Sequence, residues 1–297
     1  MGREILLTLM ITMSGGLILQ ALAGWPADLP DGAGPAALEH QAWRALWRPL
    51  APISVCAAWL LGWWLTQPDP VQDPLNPLVV LALWLPFGLL LARAAVRGAW
   101  ALVREPPECG VSTFGFLRPQ VVFSPFLARR LDETVIRAAL AHERAHAHHR
   151  DPLRIWLAQL ITDLQWPWPQ AQRRLSAWLA ALELARDEEA RLEGVEGADL
   201  AAAVLASVRY LGELAPRQRA AFAGTQLAHA RLLGEGQTLR HRVSRLLAPL
   251  SPASGAACAR RLGLRRWVMP MIPLLLAAVL LGIVYGQVIM RPLLALT

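Results

Sequence analysis

The segment ALAHERAHAHHRDP, residues 139–152, holds four of the chain's seven histidines within eight positions. Inside it, His142-Glu143-Arg144-Ala145-His146 matches the pattern HExxH. On a helix, histidines four apart lie one turn from each other on the same face, so both imidazoles can reach one metal ion. Glu143 sits beside them around the helix. It is placed to take a proton from a water whose pKa a bound Zn2+ lowers toward neutrality. His148 points away from the pair, and His149 lies two turns beyond His142; both are expected to support the site or face solvent.

A catalytic zinc takes three protein ligands and keeps its fourth position open. The stretch LELARDEEA, residues 182–190, offers Glu183 as the third ligand, with Asp187 one turn later on the same face. Asp187 can accept a hydrogen bond from the far nitrogen of a ligand histidine, which fixes the tautomer. A solvated acidic face is the alternative, because Glu188 and Glu189 follow directly. Leu179 and Ala180 one turn before Glu183, and Ala190 after Asp187, point instead to burial. The expected site is one Zn2+ per chain held by His142, His146 and Glu183, with Glu143 as general base and Asp187 behind a histidine.

These side chains meet only if rigid elements bring them together. Asp132 reads as the N-cap of a helix through ETVIRAALAHERAHAHH that stops near Asp151-Pro152. Further helices are expected near 153–165 (closed by WPWP), 169–192, 198–214 and 236–248. Helix, tight break, helix, break, helix returns the third of these over the first. Upstream, VSTFGFLRPQVVF reads as a short β-hairpin turning at Leu117-Arg118-Pro119. Its strand Val111–Phe116 can take an extended substrate as an added strand, or serve structure alone.

The whole chain is 55% hydrophobic over 297 residues, above the usual share of about 45–50%. It has thirteen tryptophans against two tyrosines, no lysine, and a net charge of +7. Cys56, Cys109 and Cys258 match no metal-binding spacing. Residues 5–24, 50–66, 75–92 and 267–290 are apolar stretches approaching the roughly 20 residues of a membrane span. Arg93, Arg97 and Arg104 follow the third stretch, and Arg260, Arg261, Arg265 and Arg266 precede the fourth. The positive-inside rule then places the intervening segment in the cytoplasm and both termini outside. The expected fold is mainly α: a polytopic protein of the bacterial inner membrane with four transmembrane helices and a cytoplasmic helical zincin-like domain carrying a small β-hairpin. Residues 1–102 would hold three spans and a cytoplasmic loop containing AALEHQAWRALW, 103–266 the metallo-domain, and 267–297 the fourth span and a short outer tail. Anionic lipid accounts for the arginines more simply than nucleic acid, since no DNA-binding pattern accompanies them.

The hairpin FGFLRPQVVFSPFL, the helix HERAHAHHRDP and the stretch ELARDEEA together resemble the BlaR/MecR-type antirepressor metallopeptidases, membrane gluzincins. Phe114-Gly115 and Pro119 match that family's hairpin, Arg150-Asp151 the tail of its zinc motif, and Glu183 with Asp187 its last ligand element. HRVSRLLAP, residues 241–249, resembles its closing helix. The resemblance implies the same zinc ligands and a protein or peptide substrate, the chain itself or a cytoplasmic DNA-binding repressor, with a homodimer as a further expectation. The chain departs from the family at Arg186, where cysteine is usual. A lysine-free sequence also cannot carry the serine-x-x-lysine motif of the family's penicillin-binding sensor, so that sensor domain is expected to be lacking. An HtpX-like quality-control protease shares HExxH and ExxxD but places spans between them; here the intervening residues include Arg150, Arg154, Asp163, Arg173 and Arg174. A non-catalytic, zinc-stabilised binding protein is the alternative of another class. A transition-state stabiliser is expected from later in the domain, with His229, Tyr210 and His241 as candidates.

Overall fold

The computed structural model describes residues 34–66, scattered positions between 78 and 99, and 111–123, 129–165, 169–213, 236–250 and 275–289. The chain divides into two compact units, one of Met1–Asp28, Arg44–Leu91 and Arg261–Thr297, the other of Leu29–Trp43 and Ala92–Arg260. Helix α1 covers Pro35–Trp47 and α2 covers Leu50–Leu65.

In the first unit, α2 packs against a helix at residues 275–289 through glycines. A Cβ on Gly62 would meet the Val279 carbonyl oxygen at 2.1 Å, and one on Gly282 the Trp59 carbonyl oxygen at 2.0 Å. Leu60 and Trp63 are buried there.

Among the described residues, no helix is long and apolar enough to cross a membrane. This overturns the four-span expectation, the inner-membrane placement, and the topology with both termini outside and the metallo-domain in the cytoplasm. Counting apolar residues along a sequence does not measure helix length. Helix α2 has 16 residues, about 24 Å at 1.5 Å per residue, against about 30 Å of bilayer hydrocarbon. The helix at 275–289 is shorter still. The expected span 5–24 lies outside the described residues, and 75–92 is described only at scattered helical positions. Trp43, Trp63 and Trp178 are buried core residues.

The second unit carries the expected hairpin and helices. Strands β1 (Val111–Phe114) and β2 (Gln120–Phe123) pair antiparallel, Val111 opposite Phe123 and Phe114 opposite Gln120. Their turn depends on Gly115, which holds φ +98° with the Arg118 carbonyl 2.9 Å from where a Cβ would sit. Then come α3 (Glu133–His148), α4 (Asp151–Leu164), α5 (Pro169–Leu192), α6 (Gly197–Glu213) and α7 (Gly236–Leu247). Helix α3 is central, packed by the hairpin, α4, α5 and α6.

Small side chains let these helices approach closely. Ala138 and Ala141 of α3, Ala190 of α5, Leu200 and Ala201 of α6 and Leu246 of α7 form one core. Along α5 the buried stripe runs Ala171, Leu175, Trp178, Leu182 and then turns polar at Glu183, Arg186 and Asp187 without leaving the interior. Arg191 at the end of α5 donates to the carbonyls of Arg245 and Ala248 at 3.3 and 2.8 Å, tying α5 to the C-terminal end of α7. That clamp sets the register of α7, and with it which of its side chains face α5.

Gly197 marks the tightest approach, since a Cβ there would stand 2.0 Å from the Leu246 carbonyl oxygen. Replacing it by alanine forces α6 and α7 apart. Gly197→Ala should lower the stability of the full chain by about 1–3 kcal/mol, read as a shifted midpoint in urea unfolding.

Candidate metal centre

His142, Glu143 and His146 all lie on the buried side of α3, although no apolar periodicity demands it. Glu183 comes from α5 and is 2% exposed. One donor atom each from His142, His146 and Glu183 falls within 4.8 Å of the others, a buried group able to hold a metal ion. The two Nε2 atoms stand 3.1 Å apart. His142 Nε2 is 3.4 Å from Glu183 Oε2, and His146 Nε2 is 3.6 Å from Glu183 Oε1. Donors about 2.0–2.1 Å from a tetrahedral zinc stand about 3.3–3.4 Å from one another, so this triangle has the right size. Two imidazole nitrogens facing each other at 3.1 Å also require a proton or a cation between them.

Each histidine is held from behind. His142 Nδ1 lies 2.9 Å from Asp187 Oδ1, and His146 Nδ1 lies 2.9 Å from Asp151 Oδ2. A carboxylate only accepts, so the proton belongs on Nδ1 and Nε2 is turned into the site. Asp187 therefore stands where the sequence places it. Asp151 does not: its place before Pro152 suggests a helix stop, whereas it is fully buried and opens α4. Arg150 supplies the geometry by taking the left-handed conformation at φ 54° and ψ 42°, which reverses the chain and carries Asp151 beneath His146.

Two arginines balance the buried acids. Arg186 Nε donates to Asp151 Oδ2 at 2.5 Å and its Nη2 to Oδ1 at 3.2 Å. Arg186 is thus a buried counter-charge to Asp151. Arg242 on α7 donates through Nε and Nη2 to the two oxygens of Asp187, at 2.6 and 2.8 Å, and its Nη1 lies 2.8 Å from Glu183 Oε2. Neither arginine announces itself in the sequence as a site residue. For Arg242 the available signal is its place in HRVSRLLAP, whose His241 is exposed while its neighbour turns inward. Tyr210 is half-buried on α6, and His229 lies outside the described residues.

The electrostatics follow from these contacts. Burial opposes a charge on His142, but the bond and charge of Asp187, with Glu183, outweigh it and hold the imidazole at about 10 despite Arg242. Burial would raise Asp187, yet Arg242 and His142 hold it down at about 2. Burial likewise opposes ionisation of Asp151, while Arg186 and His146 keep it well below the usual carboxylate range. Burial works against Arg242 too; Asp187, Glu183 and lastly Glu143 hold it above its ordinary value.

Glu143 is 5% exposed and takes no part in the donor triangle. Thr113 of β1 donates to its carboxylate Oε2 at 2.8 Å and touches its carbonyl oxygen at 2.8 Å, tying the hairpin to α3. His148 is exposed, and His149 pairs with Glu189 at 2.9 Å.

Comparison of the chain with protein-family models, curated proteins and solved structures returns no match.

Asp151→Asn should weaken metal binding by about 10–100-fold, measured with Zn2+ in competition with a chromophoric chelator. A second test uses acid. Burial opposes the charge of Glu189, but the bond and charge of His149, with Arg186, hold its carboxyl below the ordinary value. Its stabilisation is therefore complete above the unfolded value of about 4.3 and is lost as pH falls through the folded value. Glu189→Gln should flatten the acid limb of the stability–pH profile below about pH 4, followed by urea unfolding across pH.

Proposed function

We propose that this chain is a zinc-dependent peptidase of the HExxH gluzincin type. The observation that supports it most is a buried donor set of two imidazoles and one carboxylate with a separate buried carboxylate, Glu143, beside it. A structural zinc site closes with four protein donors and needs no base; a hydrolytic one uses His, His and Glu and keeps a position open. Zinc held by such a set is a Lewis acid that acidifies water and polarises a carbonyl at its remaining position.

The chain's own residues carry the rest. His142, His146 and Glu183 bind, and Asp187 and Asp151 keep the two imidazoles in the tautomer that binding requires. Glu143 takes the proton of the attacking water as general base and returns it to the departing amine nitrogen as general acid. Thr113 holds one oxygen of Glu143, limiting the carboxylate to a narrow arc. Arg242 balances Glu183 and Asp187 and is the cation beside the triad, its Nη2 3.4 Å from His142 Nε2. This contact supports Arg242, in preference to the exposed His241, as the group that meets negative charge developing on a substrate carbonyl. The likeness to BlaR/MecR-type peptidases supports a protein substrate, the chain itself or a repressor.

The decisive comparison is wild type against Glu143→Gln, both loaded with zinc. Self-cleavage, or cleavage of a co-expressed repressor or unstructured protein, should fall by at least about 100-fold in the variant, while zinc content stays at one per chain. Equal cleavage would refute the mechanism. Retained zinc with no cleavage by either protein would favour a binding role.

A further inference from the structure

Helix α1 lies far upstream of the HExxH motif, yet Glu39 on it is buried in the unit that carries the His142, His146 and Glu183 triad. The Glu39 carboxylate oxygen Oε1 accepts a bond from Nη2 of Arg154, a residue 115 positions away, and one from Trp178 Nε1 at 3.0 Å. The Arg154 guanidinium lies over the rings of Trp43 and Trp178, at 4.9 and 5.5 Å from their centroids. Those rings touch each other, with centroids 4.8 Å apart. Arg154 thus lies against two adjacent indoles and is held at one end by Glu39. Its other end, Nη1, donates to Asp151 Oδ1 at 2.9 Å, and Asp151 Oδ2 holds His146 Nδ1.

From this unbroken chain we infer that Glu39 is a positioning residue for the metal centre, acting through Arg154 and Asp151 on His146. The inference rests on the metal reading of the triad. Arg186 grips Asp151 from α5, and Arg154 grips it from within α4. Two cations on one carboxylate would draw its negative charge away from the imidazole; Glu39 offsets one of them and fixes its direction. Without Glu39, the Arg154 side chain keeps its ring contacts but loses the partner that determines how far it reaches. Asp151 then sits less firmly under His146. Carboxylates behind metal-binding histidines set affinity by about 10–100-fold, and this one is itself positioned from a separate helix.

The test uses the full chain as wild type, Glu39→Gln, Glu39→Ala, Arg154→Ala and the double variant Glu39→Gln/Arg154→Ala. Zn2+ affinity is measured by chelator competition and ligand geometry by the visible absorption of bound Co2+. Glu39→Gln keeps the volume and an oxygen for Trp178, so it carries the test even where Glu39→Ala fails to fold. Leu200→Ala, a core change away from this chain of contacts, controls for stability. The expected result is Zn2+ affinity about tenfold weaker in Glu39→Gln with an altered Co2+ spectrum. Leu200→Ala should keep wild-type affinity at equal or greater loss of stability, and Glu39→Gln should add less than about twofold once Arg154→Ala is present. Wild-type affinity and spectrum in Glu39→Gln, or an undiminished effect on top of Arg154→Ala, would overturn the inference while leaving the metal site intact. A wild-type chain that takes up neither ion overturns the metal reading and this inference with it.

Discussion

Charge buried together must be paired together, and the second unit is organised around that constraint. Glu143, Glu183, Asp187 and Asp151 are all nearly inaccessible, as are the two imidazoles between them. An ion removed from water costs several kcal/mol unless counter-charges and hydrogen bonds surround it. Arg242 meets Asp187 and Glu183, and Arg186 meets Asp151. Each of these pairs joins side chains from different helices. Helices α4, α5 and α7 are therefore held in one register by these ion pairs, while the alanine-rich core joins α3, α5, α6 and α7.

The two histidines of the candidate metal centre are supported in parallel ways from different sources. His142 leans on Asp187, which Arg242 holds from α7; His146 leans on Asp151, which Arg186 holds from α5. The second arm requires the reversal at Arg150, where a residue other than glycine accepts a left-handed backbone at a cost on the order of 1–3 kcal/mol. The pairing of Asp151 with an imidazole and two arginines offsets that strain. Strain here coincides with the site it positions.

Much of this was legible along the chain. The HExxH spacing is a one-turn repeat, and Glu183 with Asp187 is another, so local helical geometry suffices to put each pair on one face. The hairpin and the helix order follow from strand formers, Gly115, Pro152 and the WPWP break. The apolar stretches misled because hydropathy along a sequence does not measure how long a helix runs, and among the described residues none is long and apolar enough to cross a membrane. In the described residues, Trp63 is buried at a glycine-lined helix contact, and Trp43 and Trp178 are buried against each other.

The sequence by itself determined which residue types could bind and which could act as base, since helical periodicity is a short-range property. Only the tertiary structure decided how they are charged and held. Arg186, Arg242 and Glu39 look in the sequence like ordinary surface ions, and Asp151 like a helix stop. Their roles arise from contacts across 35, 55 and 115 positions, with Asp151, Asp187 and Arg154 respectively. Pairings at such separations depend on how helices pack in three dimensions, which no local pattern encodes.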